Sequence, residues 1–162
     1  MDLLHCPSRR PESIDLHLHQ KQDQYLLELS WPSALNLQDS LRQSDLLHDL
    51  GKRRVDTKLI NKPGKLDADE WVEMKKHPGF GYELLQDVPT ISDETKRIVH
   101  EHHEHMDGTG YPQGLTDTQI LKLSRIASVA DVFDALTTKR SYKDACSANE
   151  ALEIMANMPR GK

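Results

Sequence analysis

The chain has 162 residues, a formal net charge of −5, 36% hydrophobic and 29% charged residues. That is one domain's length, with enough apolar material for a core. The acidic balance argues against a broad surface for a nucleic-acid polymer, and no apolar run approaches the roughly 20 residues that span a bilayer. Cys6 and Cys146 are too few for a disulfide framework and the start of the chain does not read as a signal peptide, so a reducing cytoplasm is expected. An anionic small substrate stays compatible with the charge, because metals and a few local cations invert the field inside a site.

Residues 1–14 are polar, carry Pro7 and Pro11, and read as a loose lead-in. A helix is predicted from Asp15 to Leu29, ending before Trp31-Pro32, since the residue preceding a proline disfavours helix. Asn36 is a good N-cap for the next, with Leu37, Leu41, Leu47 and Leu50 on its apolar side and Gly51 at its end. That reading puts His48 and Asp49 in its last turn. Lys62-Pro63-Gly64 is a turn, and Asp67 with Glu70 resembles a capping box for a helix carrying Trp71 and Met74. Pro78 interrupts that helix or opens another, leaving His77 at a junction. Ser92 caps a helix that reaches His103 and stops by Asp107-Gly108. A long helix follows from Ile120 to Thr138 with Ile126, Val129, Ala130, Phe133 and Leu136 on it, and Ser147 with Glu150 forms a capping box for the last. Helical periods dominate and no alternating pattern competes, so the fold class is all-α: a compact bundle of about six or seven helices.

Nine histidines are the compositional oddity, and His48, His77, His102, His103 and His105 lie in or beside short motifs. His48-Asp49 opens the run His-Asp-Leu-Gly-Lys, His77 stands in His-Pro-Gly-Phe-Gly, His102-His103 precede a glycine-rich turn, and Asp131 sits in Ala-Asp-Val-Phe-Asp-Ala-Leu. These donors are nitrogen and oxygen with no thiolate, which suits hydrolysis with hard or borderline divalent metals. A lone His-Asp pair occurs by chance, but four such motifs in fixed order do not. His48 and Asp49 can reach two metals, or two sides of one. His77, His102 and His103 add imidazoles, and Asp131 adds a carboxylate whose unpaired burial would be costly. Asp134, one turn on, is placed to orient a ligand. Lys52 can meet a phosphate oxygen, and Arg140 with Lys143 forms a second cationic pair. His100 and His105 read as surface residues beside the site.

These residues closely resemble the HD-GYP family, a branch of the HD metal-dependent phosphohydrolases. The resemblance runs from about residue 40 to residue 155. It rests on His48-Asp49-Leu50-Gly51-Lys52, Lys62-Pro63-Gly64, His77-Pro78 with Gly81, and His102-His103-Glu104 with Asp107-Gly108-Thr109-Gly110-Tyr111-Pro112. It continues through Ala130-Asp131-Val132-Phe133-Asp134-Ala135-Leu136 to Arg140-Ser141-Tyr142-Lys143. It implies an HD-domain-like bundle over residues 15–162 and a bacterial phosphodiesterase that opens cyclic di-GMP to pGpG, with onward cleavage to GMP in many members. Metal ligation is implied for His48, Asp49, His77, His102, His103 and Asp131, with Asp49 bridging two metals and a metal-bridging hydroxide attacking in line with the 3′ leaving oxygen. Lys52, Arg140 and Lys143 match phosphate contacts, with Lys52 beside Asp49 in the catalytic pair. Tyr111 belongs to the turn that shapes the site and that is implicated in contacts with diguanylate-cyclase (GGDEF) proteins. Iron or manganese is the implied metal, with zinc or nickel as substitutes in purified protein. A homodimer is compatible with the family.

Three departures set this chain apart. The family's upstream helical histidine falls in Asp15-Leu16-His17-Leu18-His19, where His17, His19 or neither is the ligand; Asp15, one turn before His19, favours His19 and a third metal. After Lys52 the chain reads Arg53-Arg54-Val55-Asp56, where relatives carry apolar residues and a proline. Relatives also continue beyond Lys162, so the chain looks clipped at its C-terminus. The readings that compete with cyclic di-GMP hydrolysis are a metal-containing module that binds without turnover, and a phosphodiesterase for another cyclic dinucleotide such as 3′,3′-cyclic GMP-AMP.

Overall fold

A computed structural model describes residues 37–139 and 145–158. The lead-in over 1–14, the helix expected over 15–29, His17, His19, Arg140 and Lys143 all lie outside the described residues. Within them the chain forms seven α-helical segments, one a single turn, and two 3₁₀ helices. They are α1 (Leu37–Leu47), α2 (Thr57–Ile60), α3 (Ala68–Met74), α4 (His77–Leu85), α5 (Asp93–Glu101), α6 (Lys122–Thr137) and α7 (Ala148–Ala156), with 3₁₀ helices at Leu50–Arg54 and Asp117–Gln119. No strand forms among the described residues, and the all-α expectation holds.

The helix starts follow from their capping residues. Asp67 Oδ1 accepts from Glu70 N at 3.0 Å while Glu70 Oε2 accepts from Asp67 N at 2.8 Å, a complete capping box opening α3. Ser92 Oγ accepts from Thr95 N at 3.1 Å to open α5. Ser147 and Glu150 form the expected box for α7. Each such cap contributes about 1 kcal/mol. Pro78 opens α4 rather than breaking α3, since a proline in the first helical turn loses no intrahelical bond. His77 therefore begins a helix.

Two ends differ from expectation, both at site residues. Helix α1 stops at Leu47, and His48-Asp49 occupy the turn into the Leu50–Arg54 3₁₀ helix. The cause is a close approach: a Cβ on Gly51 would lie 1.9 Å from the His77 carbonyl oxygen and 2.5 Å from Gly81 N. The chain must tighten there to lay its backbone against α4. Helix α5 stops at Glu101, where a short Glu104 N to Glu101 O bond of 2.8 Å tightens the turn that presents His102 and His103.

Leu47, Leu50, Leu85, Ile91 and Val99 form the core, with Val88 packed against them. Full burial of each such side chain contributes about 1.5–3 kcal/mol. Helix α4 packs on the first 3₁₀ helix and on α5, α5 packs on α1 and α6, and α6 packs on α1 and α7. The core thus holds together the segments that carry His48-Asp49, His77 and His102-His103, and the packing of α6 on α1 and α5 brings Asp131 to them. Trp71, Ile126 and Val129, expected on apolar helix faces, are exposed. None of the described helices is long and apolar enough to cross a membrane.

Candidate metal centre

Three histidines are oriented by one device. His48 Nδ1 lies 2.7 Å from the Asp45 carbonyl oxygen, His77 Nδ1 2.9 Å from that of Met74, and His102 Nδ1 2.8 Å from that of Val99. A carbonyl oxygen only accepts, so each Nδ1 donates, and each ring turns its Nε2 toward the others. His77 Nε2 and His102 Nε2 come to 3.4 Å. His103 completes the set: ligand nitrogens of His77, His102 and His103 all lie within 4.8 Å of one another.

Two carboxylates face these imidazoles. Asp49 Oδ1 is 3.5 Å from His77 Nε2, while its Oδ2 is 3.6 Å from His48 Nε2 and accepts from Lys52 Nζ at 2.6 Å. One carboxylate therefore turns one oxygen toward each of two histidines. Asp131, carried by α6, places Oδ1 3.6 Å from His48 Nε2.

The electrostatics divide the cluster. Burial pushes His77 down to about 4 and His103 to about 3, and burial with neighbouring imidazoles pushes His102 well below its ordinary value. These rings are neutral at pH 7 and offer lone pairs. Burial opposes charge on His48 too, but the neighbouring carboxylates of Asp131 and Asp49 outweigh it and raise His48 to about 9. Burial likewise opposes ionisation of Asp49, yet Lys52, His48 and His77 hold it well below the carboxylate range. Asp131 is held at about 2, its desolvation outweighed by the neighbouring His48 and His103.

The donor set fits divalent metal. At His77 and His102, both Nδ1 protons are committed to carbonyls and both rings are neutral, so two lone pairs face each other with no proton between them. That arrangement is unfavourable alone and satisfied by a cation. Nitrogen and carboxylate donors without thiolate match iron, manganese, zinc or nickel better than a soft metal.

Tyr111 forms one wall. Its ring centroid is 4.7 Å from that of His103 and 6.4 Å from that of His77, with Lys75 Nζ 5.5 Å from the ring centre. Burial and the negative charges of Asp131 and Asp49 raise the Tyr111 hydroxyl, so it stays protonated. A cleft of about 340 Å³ between α1 and α6, walled by Leu41, Ile126 and Ala127, has His48, His102 and Asp131 among its lining residues.

His48, Asp49, Lys52, His77, His102, His103, Tyr111 and Asp131 are thus all brought together. Asp134 is not part of this arrangement: it is exposed and its Oδ1 accepts from Thr138 Oγ1 at 3.0 Å. One turn along α6 from Asp131, its side chain is directed to the helix end. His100 is half-buried and stacks on Tyr82, ring centroids 4.8 Å apart. Sequence reasoning gave no role to Glu101 and Glu104. Glu101 is buried and its Oε2 accepts from Leu121 N and Ser124 Oγ, both at 2.9 Å, which fixes the start of α6. The sequence marks both acids only by their place on either side of the His102-His103 pair, since their partners lie far along the chain.

Residues 16–161 match the HD domain family. The chain belongs to that family. It is 44% identical over 111 residues to a cyclic di-GMP phosphodiesterase of Pseudomonas aeruginosa, a match covering 68% of this chain and 27% of that protein. It is 42% identical over 124 residues to 3′3′-cGAMP-specific phosphodiesterase 2 of Vibrio cholerae, covering 75% of this chain and 24% of that protein. A cyclic di-GMP phosphodiesterase response regulator of Xanthomonas campestris is 45% identical over 110 residues, 67% of this chain and 29% of the relative. The chain thus spans between 24% and 29% of the length of these relatives. The fold is also that of a protein from Bdellovibrio bacteriovorus described as HDG"Y"P, with a TM-score of 0.61 and 24% identity over 90% of this chain and 44% of that one. The HD-GYP resemblance of the motifs agrees with all of these.

Proposed function

We propose that this chain is a metal-dependent phosphodiesterase domain that opens cyclic di-GMP to pGpG, and onward to GMP where both bonds are cut. The observation that carries the reading is the convergence of carbonyl-tied imidazoles on two carboxylates, with Asp49 turning one oxygen toward His48 and the other toward His77. In this reading His48, Asp49, His77, His102, His103 and Asp131 would hold two divalent ions, and His19 is the candidate for a third. When bound, such ions polarise phosphate oxygens and make water a nucleophile at neutral pH. The chain's own groups do the rest. The carbonyls of Asp45, Met74 and Val99 keep the imidazoles in the ligating tautomer. Lys52, paired with Asp49 in catalysis, carries positive charge at the place where a phosphate would meet that aspartate, and Arg140 and Lys143 supply further cations. Tyr111 offers an aromatic wall to a base.

Iron or manganese is the proposed metal, the bacterial cytoplasm the proposed compartment, and residues 15–162 the proposed domain. GGDEF proteins are proposed partners of the Tyr111 turn, and self-association is tested by the mass of the purified chain in solution.

The named 3′3′-cGAMP enzymes among the relatives support a second substrate reading. Protein prepared under low oxygen with iron or manganese, offered cyclic di-GMP and 3′3′-cGAMP in parallel, separates them. Chelator-sensitive formation of pGpG is expected; preference for cGAMP would move the substrate, and bound metal with neither cleaved would leave a binding module.

A further inference from the structure

We infer that Glu104 is the positioning residue that fixes the turn over residues 107–116 and thereby holds Tyr111 against His103. Glu104 follows His103 directly and is 5% exposed. Its two oxygens are both taken by the far arm of the turn: Oε1 accepts from Gln113 N at 2.6 Å and Oε2 from Leu115 N at 2.8 Å. Tyr111 lies on the chain between those anchors and His103, and its own N donates to the His103 carbonyl oxygen at 3.1 Å. The turn folds flat on the segment bearing Glu104. A Cβ on Gly110 would lie 2.2 Å from His105 N and 2.5 Å from Glu104 Cα. An antiparallel bridge between Asp107 and Thr116 closes the base.

A carboxylate is the group this geometry requires. Two inward-pointing N–H donors need two acceptors, and a carboxylate supplies both from one side chain, with charge assistance that offsets its burial. An amide would turn an NH₂ toward one of the donors, and an apolar side chain would leave two part-buried N–H groups without their acceptor. The same bonds separate Glu104 from its neighbours in function. His102 and His103 face the cluster, whereas both oxygens of Glu104 are spent on the turn, so it sets the wall of the site without being a metal donor.

The kinetic half of this inference rests on the phosphodiesterase reading; the structural half does not. Glu104→Gln is measured by amide hydrogen exchange over residues 110–116, by metal content, and by kcat and KM for cyclic di-GMP. Exchange at Gln113 and Leu115 is expected to accelerate with metal content retained, and KM to rise about tenfold with kcat little changed, the loss of one charged hydrogen bond expressed through Tyr111. Tyr111→Leu is expected to raise KM similarly, and combining it with Glu104→Gln should add little, because both act on one wall. Unchanged exchange, or metal loss with lower kcat at constant KM, would overturn the assignment, as would fully additive effects. Glu104→Asp, which keeps the charge but falls one methylene short, tests the same contacts should the glutamine variant not fold. A wild-type chain that cleaves no nucleotide would defeat the phosphodiesterase reading alone, since exchange still decides whether Glu104 anchors the turn.

Discussion

His77 Nε2 and His102 Nε2 face each other at 3.4 Å while the Nδ1 of each ring donates to a carbonyl three residues earlier. Neither ring can turn away without abandoning its carbonyl, and neither is protonated at neutral pH. The repulsion is built into the fold and a cation between the rings removes it.

Metal should therefore stabilise the folded chain. Ligand at about a hundred times its dissociation constant adds about 2.7 kcal/mol, which for this size is a rise in Tm of roughly 5–10 °C. Thermal unfolding with manganese or iron, then after chelator, measures it. An unchanged Tm would mean that the cluster does not bind metal.

The metal-free chain should be most stable near pH 6.5. His77 and His103 are lowered by burial to about 4 and about 3 from an ordinary 6.5, so the unfolded chain takes up protons first on acidification. Stability is then lost as pH falls below about 6.5 toward those values. His48, raised to about 9, works oppositely: its contribution is complete below 6.5 and lost as pH rises through 9. Urea midpoints of chelator-treated protein between pH 5 and pH 9 should fall on both sides; a midpoint that rises on acidification would contradict the neutral, buried rings.

Gly51→Ala and Gly79→Ala form a matched pair. A Cβ at Gly51 meets the His77 carbonyl oxygen and Gly81 N, both backbone, whereas one at Gly79 meets nothing within 4 Å. Gly51→Ala should cost about 1–3 kcal/mol and weaken metal binding by displacing His77. Gly79→Ala, inside α4, should be neutral or gain up to about 1 kcal/mol from helix propensity. Equal behaviour of the two in denaturant melts would show that the Gly51 approach is not what ends α1.

Asp49→Ala removes the group that faces both His48 and His77. Turnover is expected to disappear and metal content to fall with the fold retained. Full activity in this variant would remove the two-metal assignment.

Much of this was legible in the sequence because it is local. Capping boxes at Asp67 and Ser147 and the proline after His77 specify helix starts within a few residues, and the structure has them. The early stop of α1 was not legible, since it comes from Gly51 meeting α4 far along the chain. Helical spacing puts Asp134 one turn from Asp131, placed to orient a ligand, yet its carboxylate bonds Thr138 instead. The roles of Glu101 and Glu104 depend on partners 20 and 11 residues away, which no periodicity reports.

Elemental analysis of wild-type and Asp49→Ala protein, both prepared under low oxygen, tests the metal centre most directly. About two or more metal equivalents per wild-type chain, falling sharply in the variant, is the expected result for a hydrolytic two-metal site. A wild-type chain that stays metal-free after loading, or an Asp49→Ala chain that retains its full complement, would contradict it.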